Sequence, residues 1–484
     1  MSASRSMPRV VLFLFLVLVS LSLFAAGHDL TTSPPTANQT RPVLTGNGSG
    51  FIAAWLDSAP QGRTTIVSRR ASADGEPIAG AGAAIEQSAV QSIAIAHNPT
   101  DTLVVWIADG NVYAEQLSPS GTPLNMIRLT SANGDVSDVA VAWNGSRYFV
   151  IWSSPPQLIG AFVAPDGSST APHPFFSEPN RPTRDPVLPD LAWDGQHFVV
   201  VFGERPNAPC QVTCPIANPD QFRVMRVSAA GDAIDSAPLV ITGSHFRAHV
   251  ASSGTESLIA LDSVSEVSTI VAHAESGLTL DPETPLFRWY SEISSAVAWD
   301  GAMYTVVWRY VARDTAWTGA AYVTRSNLPF DYRVTSTGPP LPYGSTLYWG
   351  RPTIAVNETG LTAFAILEAP PSSFARPRLY LASELAAMPA PPPAPRNAVS
   401  YFGGNTARID WQSDDGAAGF VVEVWSPFEN SWYFYGTVPA DARTISVYTS
   451  IGSLFRIRAF GPGGLSEGTI TSIGSMQRRR ADRH

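Results

Sequence analysis

The chain has 484 residues, of which 44% are hydrophobic and 15% charged, so it is long enough for two or more folded domains and too apolar for a disordered chain. All 31 basic residues are arginines, which excludes the lysine-dependent chemistry of phosphate-binding loops and Schiff bases. The formal net charge of −9 argues against non-specific binding of nucleic acid.

Residues 1–27 have the three parts of a signal peptide. Arg5 and Arg9 make the start basic, an apolar run covers 10–24, and Ala25, Ala26 and Gly27 form a small-residue cleavage site. A retained membrane anchor is the alternative, but the apolar run is short for a bilayer span. We therefore expect an exported protein, secreted or periplasmic, with no membrane span after cleavage.

The stretch from Asp138 to Trp152 predicts a β-hairpin. Two runs rich in Val, Ile, Phe and Trp flank Asn144-Gly145, a pair that tolerates the positive φ angles of a tight turn. Related stretches recur about every fifty residues along the chain. Their second strands end at Trp55, Trp106, Trp152, Phe202, Leu261, Trp308 and Ala365. We expect the large rings at this position to fill the core between neighbouring repeats.

Each repeat continues with a third strand, a second turn and a short fourth apolar run. A four-stranded antiparallel unit of this kind cannot bury both faces alone, but stacked neighbours can. The sequence therefore predicts an all-β protein with a β-propeller at residues 28–387. Seven blades are expected, or six if the last repeat adopts another structure.

The last repeat lacks a fourth strand, because Arg378–Ala382 is followed by proline-rich sequence. His28–Thr32 is the unassigned run that could take this place and close the ring. The alternative is a frayed N-terminus.

Carboxylates follow several of the second strands, where propeller loops commonly open toward a ligand. We single out Asp57, Asp109, Glu204, Asp262 and Glu368 as candidate ligand-binding residues. Such acids can bind a cation or a sugar, or serve as acid and base. The alternative is ordinary solvated loop ends that accept hydrogen bonds from Arg and backbone donors. No residue is assigned a catalytic role at this stage.

Cys210 and Cys214 are the only cysteines and lie in one inserted segment. In an exported chain two nearby cysteines favour a disulfide, whereas a metal site would need two further ligands. His245 and His249 are spaced like a helical metal pair, but the region reads as strand, where four residues span about 13 Å. The sequence therefore predicts no metal site and no cofactor.

The C-terminal part resembles a fibronectin type III domain. The resemblance covers residues 396–475 after a proline-rich linker at 388–395, and residues 476–484 form a tail. It is carried by Ala407–Trp411, Gly419–Val424 and the run Phe455–Ser466, in which Phe455 stands where the family usually has Tyr. The resemblance implies a β-sandwich that serves as a spacer or adhesion module.

Together these features resemble secreted bacterial β-propeller repeat proteins. The leading hypothesis is a non-catalytic binding or scaffold protein that presents a propeller face to a glycan or protein ligand. The alternative is a polysaccharide hydrolase or lyase that uses carboxylates on the long-loop face, because propeller enzymes assemble sites from distant loops.

Overall fold

The structure is a computed structural model. It describes residues 27–31, 39–58, 63–80, 82–88, 90–130, 134–177, 184–206, 219, 221–263, 266–288, 294–312, 315–323, 329–336, 351–368, 375–382, 392–403, 405–414, 416–417, 419–426, 431–449, 453–461 and 464–473. These residues form β-strands and no α-helix. The chain divides into two compact units, Met1–Tyr332 with Thr337–Ala386, and Arg333–Ser336 with Ala387–His484.

Strand β1 (His28–Asp29) precedes a series of antiparallel sheets, which we number in chain order. Sheet 1 contains β2 (Gln39–Asn47), β3 (Gly50–Ser58), β4 (Arg63–Ala71) and β5 (Ala84–Ser88). Sheet 2 contains β6 (Ser92–His97), β7 (Thr102–Ala108), β8 (Asn111–Leu117) and β9 (Pro123–Arg128). Sheet 3 contains β10 (Ser137–Trp143), β11 (Tyr148–Ser154), β12 (Gln157–Val163) and β13 (His173–Ser177).

The remaining sheets of this unit repeat the pattern. Sheet 4 contains β14 (Arg184–Trp193), β15 (His197–Pro206), β16 (Gln221–Ser228) and β17 (Leu239–Ile241). Sheet 5 contains β18 (His245–Ser252), β19 (Glu256–Ser263) and β20 (Glu266–His273), which pairs with both β21 (Thr279–Leu280) and β22 (Thr284–Arg288). Sheet 6 contains β23 (Ser294–Trp299), β24 (Tyr304–Ala312), β25 (Thr315–Val323) and β26 (Pro329–Ser336). Sheet 7 contains β27 (Thr353–Val356), β28 (Thr362–Glu368), β29 (Arg376–Leu381) and β1.

The first strands of these sheets contact one another in a closed ring. The order is β2, β6, β10, β14, β18, β23, β27 and back to β2. A ring of four-stranded antiparallel sheets with their first strands innermost is a β-propeller, and the first strands line its central channel. The expectation of an all-β propeller is thereby confirmed.

Apolar side chains fill the space between successive sheets. Trp106 packs in a cluster with sheet 1, Trp152 in one with sheet 2, and Phe202 in one with sheet 3. Each of these rings is at most 1% exposed. The predicted core role of the repeated aromatic position is confirmed, because large rings fill the wedge between neighbouring sheets.

The tight turns between first and second strands share one local hydrogen-bond pattern. Asn144 Oδ1 accepts from the backbone N atoms of Ser146 and Arg147 at 3.0 and 2.8 Å, and Gly145 has a φ of 92°. Asp194 and Asp300 make the same contacts in sheets 4 and 6. A short Asx side chain followed by glycine therefore sets this hairpin in each of the clear repeats.

The N-terminal strand closes the ring, as the sequence predicts. His28 pairs with Leu379 and Asp29 with Arg378, so β1 is the outer strand of sheet 7. Asp29 Oδ2 also lies 2.5 Å from Arg376 Nη1. The pairing covers an edge of β29 that would otherwise be open.

The second unit contains two further sheets. One comprises β30 (Arg396–Gly403), β31 (Thr406–Gln412), β34 (Thr444–Tyr448) and β38 (Ser472–Ile473). The other comprises β32 (Gly419–Ser426), β33 (Ser431–Pro439), β35 (Phe455–Gly461), β36 (Gly464–Leu465) and β37 (Thr469–Ile470). Ile409 and Trp411 from the first sheet share a buried core with Phe420, Phe455 and Ile457 from the second.

Candidate functional site

The first strands that line the channel are irregular near their beginnings. The pairing register shifts around Arg41 in β2, around Asp138 in β10, around Leu188 in β14 and just before Arg247 in β18. Arg41, Asp138 and Leu188 have φ angles of 53°, 45° and 51°, a region that non-glycine residues rarely adopt. Bulges of this kind re-aim side chains and recur next to functional sites.

Three arginines converge on the channel at this end of the ring. Arg41 belongs to sheet 1 and Arg247 to sheet 5, and Arg351 comes two residues before β27 of sheet 7. The positive charges of Arg41 and Arg247 act on Arg351, although sheet 5 contacts neither sheet 1 nor sheet 7 in the ring order. Groups from non-neighbouring sheets can meet in this way only at the centre. We call Arg41, Arg247 and Arg351 the arginine cluster.

The arginine cluster sits in an enclosed but wet environment. Arg41 and Arg351 are exposed to solvent and Arg247 is half-buried, as expected for side chains that line a water-filled channel. Burial among protein atoms, followed by the charges of Arg247 and Arg41, lowers the pKa of Arg351 to about 9. Burial also lowers the pKa of Arg247, against the opposing effect of Asp138 and Asp262. With a pKa of about 9, Arg351 remains charged at neutral pH.

Three carboxylates lie in the same neighbourhood, and each accepts hydrogen bonds from the protein itself. Asp138 Oδ2 accepts from Leu188 N at 3.4 Å. Asp190 accepts from Val250 N at 3.1 Å, and its Oδ2 lies 3.2 Å from His249 Nδ1. Asp262 accepts from the backbone N and Oγ of Ser295. Asp138 and Asp190 therefore join first strands of neighbouring sheets, and Asp262 joins the second strand of sheet 5 to the first strand of sheet 6.

The guanidinium groups differ from the carboxylates in having no such partners. Within the described residues, Arg41, Arg247 and Arg351 make no hydrogen bond and no ion pair. Each guanidinium carries five N–H donors and no acceptor. The channel therefore offers charged donors without partners beside acids that already accept hydrogen bonds from the protein, which suits an incoming anion.

The structure places the predicted ligand-binding acids mainly within strands. Asp57 lies in β3 and accepts from Gln39 Nε2 at 3.3 Å. Glu204 lies in β15, is 1% exposed, and pairs with Arg223 at 3.0 Å. Both face donors supplied by the protein.

The other predicted acids have three different settings. Asp109 lies in an exposed turn with a φ of 49°, and Asp262 is fully buried in β19, directly opposite Arg247. Glu368 is the last residue of β28, and its side chain lies outside the described part of the structure. Asp262 is the one whose charge acts on both Arg247 and Arg351. The predicted disulfide of Cys210 and Cys214 also falls outside the described residues.

The sequence interpretation missed the arginine cluster, although a signal for it was present. Pro42 lies in the first half of β2, Pro189 lies within β14, and Pro352 comes directly before β27, each after the X residue of an X-Pro pair. Proline cannot donate to a ladder and is confined to strand ends, edges and bulges. The X-Pro pair therefore marks the segments that carry Arg41 and Arg351, whereas Arg247 is followed by Ala248 and has no such signal.

Two further findings concern the described residues alone. They contain no group of three His, Cys, Asp or Glu side chains arranged to hold a metal ion. They also contain no helix with the length and apolar character needed to cross a membrane.

No protein family model matches the sequence, and no curated protein sequence matches it. Solved structures with a similar fold include the WD40 domain of Toxoplasma gondii coronin, with 11% identity, a TM-score of 0.44, and coverage of 75% of this chain and 86% of that chain. The Dos1 propeller has 9% identity and a TM-score of 0.39, over 93% of this chain and 97% of that one. Pyrococcus horikoshii acylaminoacyl peptidase has 10% identity and a TM-score of 0.40, over 78% and 57%. These neighbours agree with a propeller, but similarity at this level carries no argument about activity.

Proposed function

We propose that this chain is an exported, non-catalytic binding protein that presents the mouth of a seven-bladed propeller to a glycan or protein ligand. In this proposal residues 1–27 are a signal peptide, 28–387 the propeller, 388–395 a linker and 396–475 a fibronectin type III module. The protein is secreted or periplasmic, and a disulfide between Cys210 and Cys214 closes the inserted loop.

The arginine cluster is the observation that carries the binding function. A folded protein gains no stability from holding three like charges together, because the guanidinium groups repel one another and those of Arg247 and Arg351 are also partly removed from water. Stability is commonly sacrificed where a ligand is bound. A channel mouth that collects such residues from three separate sheets is therefore best explained by a ligand that neutralises them.

The hydrogen bonds and ion pairs that the carboxylates make within the protein favour a binding function over hydrolysis. A glycosidase needs two carboxyl groups that face the substrate from opposite sides of the scissile bond. Asp190 and Asp262 are instead engaged by backbone and side-chain donors, and Glu204 is paired with Arg223. Among the described residues, the Nε2 atom of His249 has no hydrogen-bond partner and is buried, so protein atoms shield it from a substrate in the channel.

Two features support the remaining parts of the proposal. The ring order contains a seventh sheet, which favours seven blades over six. In the second unit two sheets share a core in which Trp411 contacts the Phe420 ring at 5.4 Å between centroids. A sandwich with a core tryptophan is the arrangement that the fibronectin type III resemblance implies.

The proposal predicts that the protein binds a ligand and leaves it chemically unchanged. The purified protein without residues 1–27 would be screened against immobilised neutral and acidic glycans and against peptides. Each ligand that is retained would then be incubated with the protein and analysed by mass spectrometry. We expect a ligand that is retained and recovered intact. Cleavage of that ligand would instead support the hydrolase or lyase alternative, and retention of no ligand would contradict the proposal.

A further inference from the structure

We infer that the arginine cluster binds a singly charged carboxylate carried by a sugar. This inference rests on the proposed binding function and names the ligand chemistry of the same site. The bond-forming groups are the guanidinium N–H donors of Arg41, Arg247 and Arg351.

The donor surplus defines the kind of group that fits. Guanidinium forks match the two oxygens of a carboxylate, and such charge-assisted hydrogen bonds are about twice as strong as neutral ones. The neighbouring acids already use part of their acceptor capacity, since Asp138 accepts from Leu188 N and Asp190 from Val250 N, so fewer acceptor sites remain for a ligand. The cluster therefore accepts an anion and has little to offer a ligand that brings further N–H donors.

This last point favours a sugar over a peptide. A peptide carries a backbone N–H at nearly every residue, and each one needs an acceptor when it is removed from water. A sugar hydroxyl can rotate to accept instead of donate. A saccharide acid can therefore accept from the guanidinium groups through its hydroxyl oxygens as well as its carboxylate, while each hydroxyl hydrogen turns toward water in the channel.

Charge balance limits the ligand to a low negative charge. Three aspartates, Asp138, Asp190 and Asp262, act on the Arg247 guanidinium and offset much of the local positive charge. The whole chain carries a formal net charge of −9. The three aspartates and the negative net charge of the chain both repel a phosphate dianion or a dense polyanion. A single carboxylate is repelled less than either, because it carries only one negative charge.

Isothermal titration against a matched set of small probes tests the inference. Glucuronate and glucose differ at one carboxylate, and inorganic phosphate adds charge without the sugar. We expect glucuronate to bind more tightly than glucose or phosphate. Arg247→Gln and Arg351→Gln should each weaken glucuronate binding about tenfold or more, as the loss of a charge-assisted contact predicts. A uronate trisaccharide that binds more tightly than the monomer assigns the carboxylate to a glycan chain, and equal affinity assigns it to a free acid.

The control is Arg69→Gln, which removes an arginine from β4, the third strand of the sheet that carries Arg41. It should leave glucuronate affinity unchanged, and thermal melts would establish that each variant is folded. If glucose binds as well as glucuronate, or the cluster variants bind like Arg69→Gln, the carboxylate inference fails while the binding function stands. Preference for phosphate or for an acidic peptide would also overturn it. The binding function fails separately, when the glycan and peptide screen retains nothing.

Discussion

Asp262 in β19 accepts two hydrogen bonds from Ser295 in β23, one from the backbone N at 3.0 Å and one from Oγ at 2.5 Å. Both residues are 0% exposed. The contact joins sheet 5 to sheet 6 inside the ring, beside Arg247.

Replacing Asp262 should therefore destabilise the propeller. Asp262→Ala leaves the N and Oγ donors of Ser295 buried without an acceptor, which costs about 2–4 kcal/mol of unfolding free energy. Asp262→Asn keeps one acceptor and should cost about 1 kcal/mol. Chemical denaturation of the three proteins measures both effects. Equal stability of Asp262→Ala and the wild type would contradict the role of this contact.

Stability should also depend on pH through Asp262. Burial raises the pKa of this carboxyl above its ordinary value, so the folded state binds the proton more tightly than the unfolded state does. The contribution of Asp262 to the stability of the folded state therefore becomes more favourable as pH falls from neutral through the raised pKa. Asp262→Asn lacks this titration. The difference in unfolding free energy between wild type and Asp262→Asn, followed from pH 7 to about pH 4, should shift in favour of the wild type. A constant difference would show that Asp262 does not titrate in the folded protein as its burial predicts.

The N-terminal strand should stabilise the closed ring. Removing His28–Thr32 deletes the pairing of β1 with β29 and the ion pair of Asp29 with Arg376. Ladder hydrogen bonds contribute about 1 kcal/mol each, so the melting temperature should fall by several degrees. The uncovered edge of β29 should also promote association. Light scattering and thermal melts of both proteins would test this, with Asp74→Asn in an exposed turn as a control. An unchanged melting temperature would show that the ring holds without β1.

The Asn144 turn and the buried rings show what the sequence could predict. Both depend on local rules, since an Asx-Gly pair sets its own turn and a large ring at a repeated position needs a core. The pairing of β1 with sheet 7 also followed from the sequence, because the last repeat lacked a strand and one run was unassigned. Predicting these features does not require knowing which side chains from different sheets contact one another in the ring.

The arginine cluster could not be predicted in the same way. Arg41 and Arg351 are separated by most of the propeller sequence and meet because the ring closes. The sequence analysis predicted that the candidate ligand-binding acids lie in loops. Asp262 instead follows Leu261 directly within β19, so its side chain lies on the face of the strand opposite to that of Leu261. Side chains alternate between the two faces of a sheet, so an error of one residue in the strand register assigns each side chain to the wrong face. The repeat pattern in the sequence does not fix the register to one residue.

Glucuronate binding should weaken as the solution becomes alkaline. Enclosure and the neighbouring guanidinium groups lower the pKa of Arg351 to about 9, so this residue loses its charge as pH rises through that value. The ligand carboxylate stays ionised throughout. Titrations at pH 7, 8, 9 and 10 should show a falling affinity for the wild type and a flatter profile for Arg351→Gln. Parallel profiles would contradict the assignment of the pH effect to Arg351.

The most direct test of the arginine cluster as a ligand site is a thermal melt of the wild type and Arg247→Gln, each with and without glucuronate. Melts in buffer alone set the reference for each protein, because removing Arg247 relieves its repulsion by Arg41 but also removes its attraction to Asp138, Asp190 and Asp262. A ligand that binds the folded state raises the melting temperature, so the same concentration of glucuronate should stabilise the wild type more than Arg247→Gln. An Arg247→Gln variant whose melting temperature rises with glucuronate as much as that of the wild type would contradict the account.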